Sequence, residues 1–318
     1  MMSTHHLPES AGSLSNSPNP ILVTGATGKQ GGATARRLLA QGTPVRVLVR
    51  DPHSAAAAEL AAAGAQVVAG DFDAPDTLAP ALAGVSGVFL IPPAAYDGPA
   101  GWDIEREATR GETFVAAARR ANVDHIVFSG VAALGPDGTW GSAGKQRIED
   151  AIAASGLTYT LLRPVRFMEN YLLRDAPVDG IHHGVHRHLF PADQPMKMIA
   201  LADIADIAAL AFADPARFHT RVLPLAGDAV PPTQAAAAIS RAIGHRVEYE
   251  EIGADEAAAF GPMLADTWQR IRDHGGWVAE VEDTRAVHPG LRSFDTWLAE
   301  SGARRIKAVV EDELAGRR

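Results

Sequence analysis

The sequence predicts an α/β protein: a doubly wound parallel sheet with a smaller C-terminal α/β annex. Three observations predict it. Short apolar runs alternate with helical segments from Ile21 to Leu162, and such alternation builds a parallel sheet covered on both faces. Gly25, Gly28 and Gly31 stand where the first run turns into the first helix. Thr24, Arg50, Asp71, Pro92, Ser129 and Arg163 each lie just past a strand, so right-handed crossovers gather them on one edge of the sheet.

The elements follow in order. Ile21, Leu22 and Val23 form the first strand. A helix from about Lys29 to Gln41 buries Ala33, Leu38 and Leu39, and Gly42 stops it. Val45–Val49 is the second strand, Ser54–Ala63 an Ala-rich helix, and Gln66–Ala69 the third strand. A short helix spans Pro75–Ala83, and Val88–Ile91 is a strand closed by Pro92-Pro93. After a loop at 94–101, a long helix runs from about Asp103 to Ala121. His125–Phe128, a helix over Ser142–Ser155 and the strand Tyr159–Leu162 complete the alternation.

Beyond Phe167 the alternation weakens. Asp179–Pro195 reads as a loop with four histidines. Asp203–Phe212 reads as a helix, and Val222–Leu225 as a strand returning to the sheet. Further helices are expected at Pro232–Ile243, Asp255–Asp273 and Ser293–Ser301, with a strand at Val247–Ile252. The predicted layout is a disordered tail (1–19), a nucleotide-binding domain (20–166, completed by about 203–226) and a substrate annex (167–202 and 227–318).

A strand that turns sharply into a helix leaves backbone N–H groups free at the helix start. With the helix dipole they attract a phosphate. Glycines let the backbone approach a pyrophosphate closely. The G-x-x-G-x-x-G spacing, inside a strand–helix–strand unit, therefore predicts a dinucleotide site. A nucleotide-triphosphate loop needs Gly at 23 and Ser or Thr at 30, where Val23 and Gln30 stand. The second strand ends at Arg50, whose planar fork of donors suits a 2′-phosphate and so NADP. Arg36 and Arg37 are candidate helpers, and Asp51, one place later, keeps NAD as the lesser option.

Composition narrows the function classes. The formal net charge of −9 argues against a nucleic-acid surface. The absence of cysteine excludes disulfides, zinc–thiolate sites and cysteine nucleophiles. No apolar run is long enough to span a membrane, and the N-terminal residues lack the apolar core of a secretion signal, so a cytoplasmic protein is expected.

Five segments together resemble the NmrA-like family of atypical short-chain dehydrogenase/reductases. They are VTGATGKQGG (23–32), VRVLVRDP (45–52), AGDFDAPDTLAPALAGVSGVFLI (69–91), HIVFSG (125–130) and KQRIEDAIAASGLTYTLLRPVRFMEN (145–170). The resemblance covers about residues 20–230 well and the rest loosely. It implies a Rossmann fold with NADP at Gly25, Gly28, Gly31 and Arg50, and with Asp71 and Phe72 near the adenine. Thr27, Lys29 and Gln30 of the same turn, with Pro92 and Ser129 at later strand ends, join the expected cofactor set. Family members include NADPH-dependent quinone and dye reductases, phenylpropanoid reductases, and redox sensors without known turnover.

Ordinary short-chain reductases donate a proton from Tyr-x-x-x-Lys. Four places after Tyr96, Tyr159, Tyr171 and Tyr249 stand Ala100, Arg163, Asp175 and Gly253, so the pair is absent. Lys145 shares a helix face with Ile148 and Ile152, which directs it inward near the cofactor edge. Lys145 is thus the candidate ligand of the ribose or of a substrate oxygen; the plainer role is a lysine whose stem packs while its ammonium reaches water. Phe167 and Asn170 resemble the family's substrate-side wall, although either residue also suits a core or turn role. His182, His183, His186 and His188 lack a metal-binding pattern and are expected in a polar loop bordering the pocket, with no metal. Trp140, Trp268 and Trp277 are candidates for an aromatic pocket or for plain packing.

The expected activity is NAD(P)H-dependent hydride transfer to a small electrophilic, quinone-like or carbonyl substrate. The alternative is an NADP(H)-binding sensor without turnover, whose substrate position would be closed.

Overall fold

The apolar runs become the strands of one parallel sheet. The structure, a computed structural model, describes residues 19–93, 103–135, 143–174, 176 and 178–315. The first half runs β1 (Ile21–Val23), α1 (Lys29–Ala40), β2 (Val45–Val49), α2 (Ala55–Ala62), β3 (Gln66–Ala69), α3 (Leu78–Leu82) and β4 (Gly87–Leu90). It continues through α4 (Ile104–Arg120), β5 (His125–Ser129), α5 (Ala143–Ala154), β6 (Thr158–Pro164) and β7 (Arg166–Phe167). Then come β8 (Val185–His188), β9 (Met196–Ile199), α6 (Leu201–Ala213), α7 (Pro215–Phe218), β10 (Arg221–Leu225) and β11 (Asp228–Val230). The chain ends with α8 (Pro232–Ile243), β12 (Glu248–Glu251), α9 (Ala254–Ala259), α10 (Pro262–His274), α11 (Val281–Val287), α12 (Phe294–Trp297) and α13 (Ala303–Ala315). The predicted tail, the loop at 94–101 and Trp140 lie outside the described residues, apart from Asn19.

The central sheet has the order β10-β6-β5-β4-β1-β2-β3, every pair parallel. β1 pairs with β2 on one side and β4 on the other, so the winding reverses there. Alternate residues of each strand face opposite sides. Ile21 and Val23 join the core under α1 and α6, and Leu22 joins the core under α3, α4 and α5. No helix among the described residues is long and apolar enough to cross a membrane.

The second half departs from expectation at the histidines. Residues 185–188 are a strand paired in parallel with β12, not a loop. His186 and His188 point inward and are buried, while Arg187 points out to Glu250 and Glu256. The period-2 pattern was present in Val-His-Arg-His, but with imidazoles in the inward places, and an apolar search passes over it. β9 and β11 form a further small sheet with β7. A third apolar core, built from Met168, Tyr171, Phe190, Ile239, Phe294 and Trp297 among others, fills this half. The C-terminal helix is longer than expected: after α12 a π-helical turn at Leu298–Gly302 leads directly into α13.

Burial pushes His125 and His188 down to about 4 and His186 down to about 3, so all three are neutral in the folded protein. His288 is the opposite case. Its Nε2 lies 3.5 Å from carboxylate oxygens of both Asp203 and Asp206, and these two acids raise it to about 9. The two effects act on opposite sides of the ordinary histidine value of 6.5. Histidines held neutral by the fold remove stability as pH falls below 6.5, because the unfolded chain binds the extra protons. His288 contributes stability that is full below 6.5 and is lost as pH rises through 9. The thermal midpoint is therefore expected to peak near pH 6.5 and fall on both sides. His288→Asn should flatten the alkaline slope alone, measured by thermal unfolding across pH; an unaltered alkaline slope would contradict the assignment.

Candidate active site

The glycine turn is held from both ends. Thr24, at the end of β1, donates through Oγ1 to the carbonyl of Ile91 at 3.1 Å and accepts from the Ile91 N–H at 2.8 Å. That exchange locks the β1 end to the β4 end. Gly25 has φ +61, a left-handed conformation that favours glycine. Gly31 has no room for a side chain: a Cβ there would overlap the carbonyl of Gly25 and come within 2.6 Å of the Thr24 oxygen. The helix therefore sits directly on the strand end. Gly28 is the N-cap of α1 and supplies no side-chain cap, and the first turn has no acidic residue. The backbone N–H groups at the start of α1 are thus offered to the sheet edge, where a pyrophosphate would accept from them. Thr27 and Gly28 are exposed beside them. On these observations the turn fits a dinucleotide.

One flank carries Arg50, exposed just past β2 and without an ion pair or hydrogen bond among the described residues. Asp51 is already engaged, accepting the His53 N–H at 2.9 Å in an Asx turn. Asp71 likewise accepts the Asp73 N–H at 3.0 Å, and Thr77 Oγ1 accepts the Asp71 N–H at 2.9 Å. The ring of Phe72 turns inward and stacks on Phe114 with centroids 5.1 Å apart. Arg36 and Arg37 do not join Arg50: Arg36 reaches Glu59 and Arg37 reaches Asp206.

The other flank gathers Gln30, Ser129, Pro92 and Lys145. The Gln30 amide donates to the Ser129 hydroxyl, so α1 is tied to the end of β5. Pro92 is buried after β4. Lys145 is in the first turn of α5, and its ammonium pairs with Glu107 of α4. The helix contact explains the pairing. Gly111 of α4 leaves space that the Ile148 side chain fills. α4 and α5 both start at the same sheet edge, so one turn back along each places Glu107 opposite Lys145. Burial of Ile148 and Ile152 stabilises by roughly 1.5–3 kcal/mol each; the Lys145–Glu107 pair, with its carboxylate buried, sets its attraction against the cost of desolvation and adds little net. Packing thus places the helix, and Glu107 only aims the ammonium. Arg163, at the end of β6, is held by Glu149 in a two-pronged pair beside Gly130.

Phe167 is half-buried against the α1 and α6 core. Asn170 donates to Asp179 Oδ2 at 3.1 Å, and Asp179 Oδ1 takes the Arg166 Nε–H at 2.5 Å with His188 at 3.5 Å. Arg166 holds the Asp179 carboxyl far below the usual range against the opposing effect of its burial. His186 and His188 therefore belong to this buried network and not to a polar pocket rim; His182 and His183 approach Glu313 instead. Trp268 and Trp277 pack: Trp268 donates to the Ile252 carbonyl at 3.1 Å, and Trp277 stacks on Phe190 at 5.3 Å. Asp203, Asp206 and His288 form one cluster of metal-ligand type among the described residues, but the Arg292 guanidinium lies on both carboxylates, at 2.7 and 3.1 Å.

Glu107, Glu149 and Asp179 were not singled out from sequence. Each acts through a contact with a residue of another segment, and a lone acidic residue in a helix or loop carries no local sign of that. The tight seat of Gly31 gives a direct expectation. Gly31→Ala forces α1 off the strand end, with an overpacking cost of about 1–3 kcal/mol and a loss of dinucleotide affinity. Calorimetric titration and denaturant unfolding measure both, and a variant indistinguishable from wild type would contradict the seating.

Residues 18–262 match the NmrA-like family. The (4-alkanoyl-5-oxo-2,5-dihydrofuran-3-yl)methyl phosphate reductase of Streptomyces griseus is 34% identical over 88% of this chain and 97% of its own length. The NAD(P)H azoreductase of Xenophilus azovorans is 32% identical over 74% of this chain and 78% of its own. The solved structure of NmrA, a negative transcriptional regulator in complex with NAD, superposes with a TM-score of 0.71 at 20% identity, covering 92% of this chain and 98% of NmrA. With its fold, its glycine turn and its sequence in agreement, this chain belongs to the NmrA-like family.

Proposed function

We propose that this protein is an NADPH-dependent reductase that passes hydride to a small electrophilic, quinone-like or carbonyl substrate. The sheet edge carries the reading: a glycine-seated helix start lies between Arg50 on one side and Ser129 with Lys145 on the other. The relatives support the reaction class, since the Xenophilus azovorans protein is an NAD(P)H azoreductase and the Streptomyces griseus protein a reductase.

NADPH, when bound, supplies the hydride. The protein's own groups position and polarise. Lys145, aimed by Glu107, donates hydrogen bonds to the ribose or to the accepting oxygen of the substrate. Phe167 and Asn170 form the wall on the substrate side, and Asp179 fixes the amide of Asn170. No tyrosine stands four residues before Lys145, so the proton comes from solvent. Quinone-like acceptors suit that arrangement, because the reduced oxygen is a stabilised phenolate that needs little acid help.

Preference for the 2′-phosphate rests on Arg50, which is free, and on Asp51, which is spent on its own turn. NADPH should bind at least about tenfold more tightly than NADH, the scale of one charge-assisted contact. Arg50→Gln should erase that difference while leaving NADH affinity unchanged. Equal affinities in the wild-type protein would overturn the preference.

Lys145→Ala is expected to lower kcat/KM by about thirtyfold, equivalent to roughly 2 kcal/mol for a hydrogen bond from a charged donor, with little change in thermal midpoint. Steady-state NADPH oxidation over a panel of quinones, azo dyes and carbonyls measures it. Tight NADPH binding with no oxidation by any member of the panel would replace the reductase with an NADP(H)-binding redox sensor.

A further inference from the structure

A cleft of about 680 Å³ lies beside the glycine turn, between α1, α6 and the C-terminal helix. Its lining carries five cationic side chains against two carboxylates, Glu169 and Asp206. The carboxylates do not neutralise it. Asp206 is taken up by Arg37 and Arg292. Glu169 is buried and accepts from the Leu201 N–H at 3.0 Å and the Trp297 indole at 3.1 Å. Arg36 has a loose, exposed contact with Glu59 at 3.4 Å. Lys29 and Arg305 then face the cleft with no hydrogen bond or ion pair among the described residues. Partial burial first, and the nearby Arg305 after it, push the Lys29 ammonium below its ordinary value, while the carboxylates of Glu169 and Asp179 act the other way without restoring it.

This space is not the sheet edge. Successive residues of a helix point about 100° apart. Gln30 turns to Ser129 on the edge, and Lys29 turns the other way, toward Arg305 of α13 and the carboxylates of Glu169 and Asp179. The floor is apolar, formed by Ala33, Leu201 and Ala205. The volume is that of a small-molecule site. We propose that this cleft binds a phosphorylated small molecule, separate from the dinucleotide, whose phosphate lies between Lys29 and Arg305 and whose organic part covers the Ala33–Leu201–Ala205 floor. An ammonium and a guanidinium lining one cleft match a dianionic phosphate, which accepts from both. Gly28 is part of the lining, so the two ligands are neighbours.

The test uses the full chain saturated with NADPH and titrated calorimetrically with inorganic pyrophosphate. Binding is expected to persist at saturating NADPH. Arg305→Glu, and the milder Arg305→Gln should the first prove unstable, are expected to weaken it by about tenfold or more. NADPH affinity in these variants should stay within about twofold of wild type, since Arg305 lies off the sheet edge. Pyrophosphate binding that vanishes on NADPH saturation would mean the probe reports the dinucleotide's own phosphate position, and the proposal fails. Absent binding, or binding unmoved by Arg305→Glu, also overturns it. If the chain bound no NADPH, the same titration of the free protein, with and without Arg305→Glu, would still decide the cleft, separately from the reductase reading.

Discussion

The structure depends on the direct seating of α1 on the end of β1. A Cβ at Gly31 has no place between the helix and the carbonyls of Thr24 and Gly25, so the helix start approaches the strand as closely as backbone allows. Thr24 fixes that strand end to β4 through its paired contacts with Ile91. Everything at the sheet edge is measured from this point. It sets the N–H groups of the first turn toward the edge, brings Gln30 to Ser129, and turns Lys29 into the neighbouring cleft. A helix seated lower on the sheet would move all three together.

The opposite layer follows the same logic with helices alone. Gly111 admits Ile148, and the closeness of α4 and α5 brings Glu107 to Lys145 and Glu149 to the end of β6. The ion pairs there are consequences of packing more than causes of it, because the desolvation of a buried carboxylate offsets much of the attraction while apolar burial has no such cost. Their effect is orientation. Two long, flexible cationic side chains, Lys145 and Arg163, are each directed by a buried carboxylate on a helix.

Between the sheet and the C-terminal half runs a chain of buried charge. Arg166 covers the Tyr171 ring at 4.3 Å and grips Asp179, which in turn holds Asn170. Breaking one partner of such a pair leaves a charge stranded in a dry interior, so the segment after β6 is held to one arrangement. Asp203, buried at the start of α6, performs a similar service for the C-terminal segment. It takes the Arg292 guanidinium at 2.7 Å and lies near His288, fastening α11 and the turn after it to the nucleotide-binding half.

The sequence by itself determined the alternation of strands and helices, the order in which they wind, the glycine turn and its dinucleotide chemistry. These are legible because each is local: a period of 2 or 3.6, a glycine at a required turn, a residue one place past a strand. It also showed the missing tyrosine, an absence that counting alone reveals. Only the tertiary structure decided which side chains meet. Glu107 has no signal at 38 residues' distance from Lys145, and Asp179 reads as an ordinary loop acid. Where the ring of Phe72 goes was not legible either: it stacks on Phe114 in the core, a long-range contact between the turn after β3 and α4. The histidines of β8 read as polar and fold as interior, since burial favours a neutral imidazole and the Gly180 carbonyl, 2.8 Å from His186 Nδ1, gives the buried ring a partner. Side-chain polarity is a property of the residue; burial is a property of what the rest of the chain packs against it.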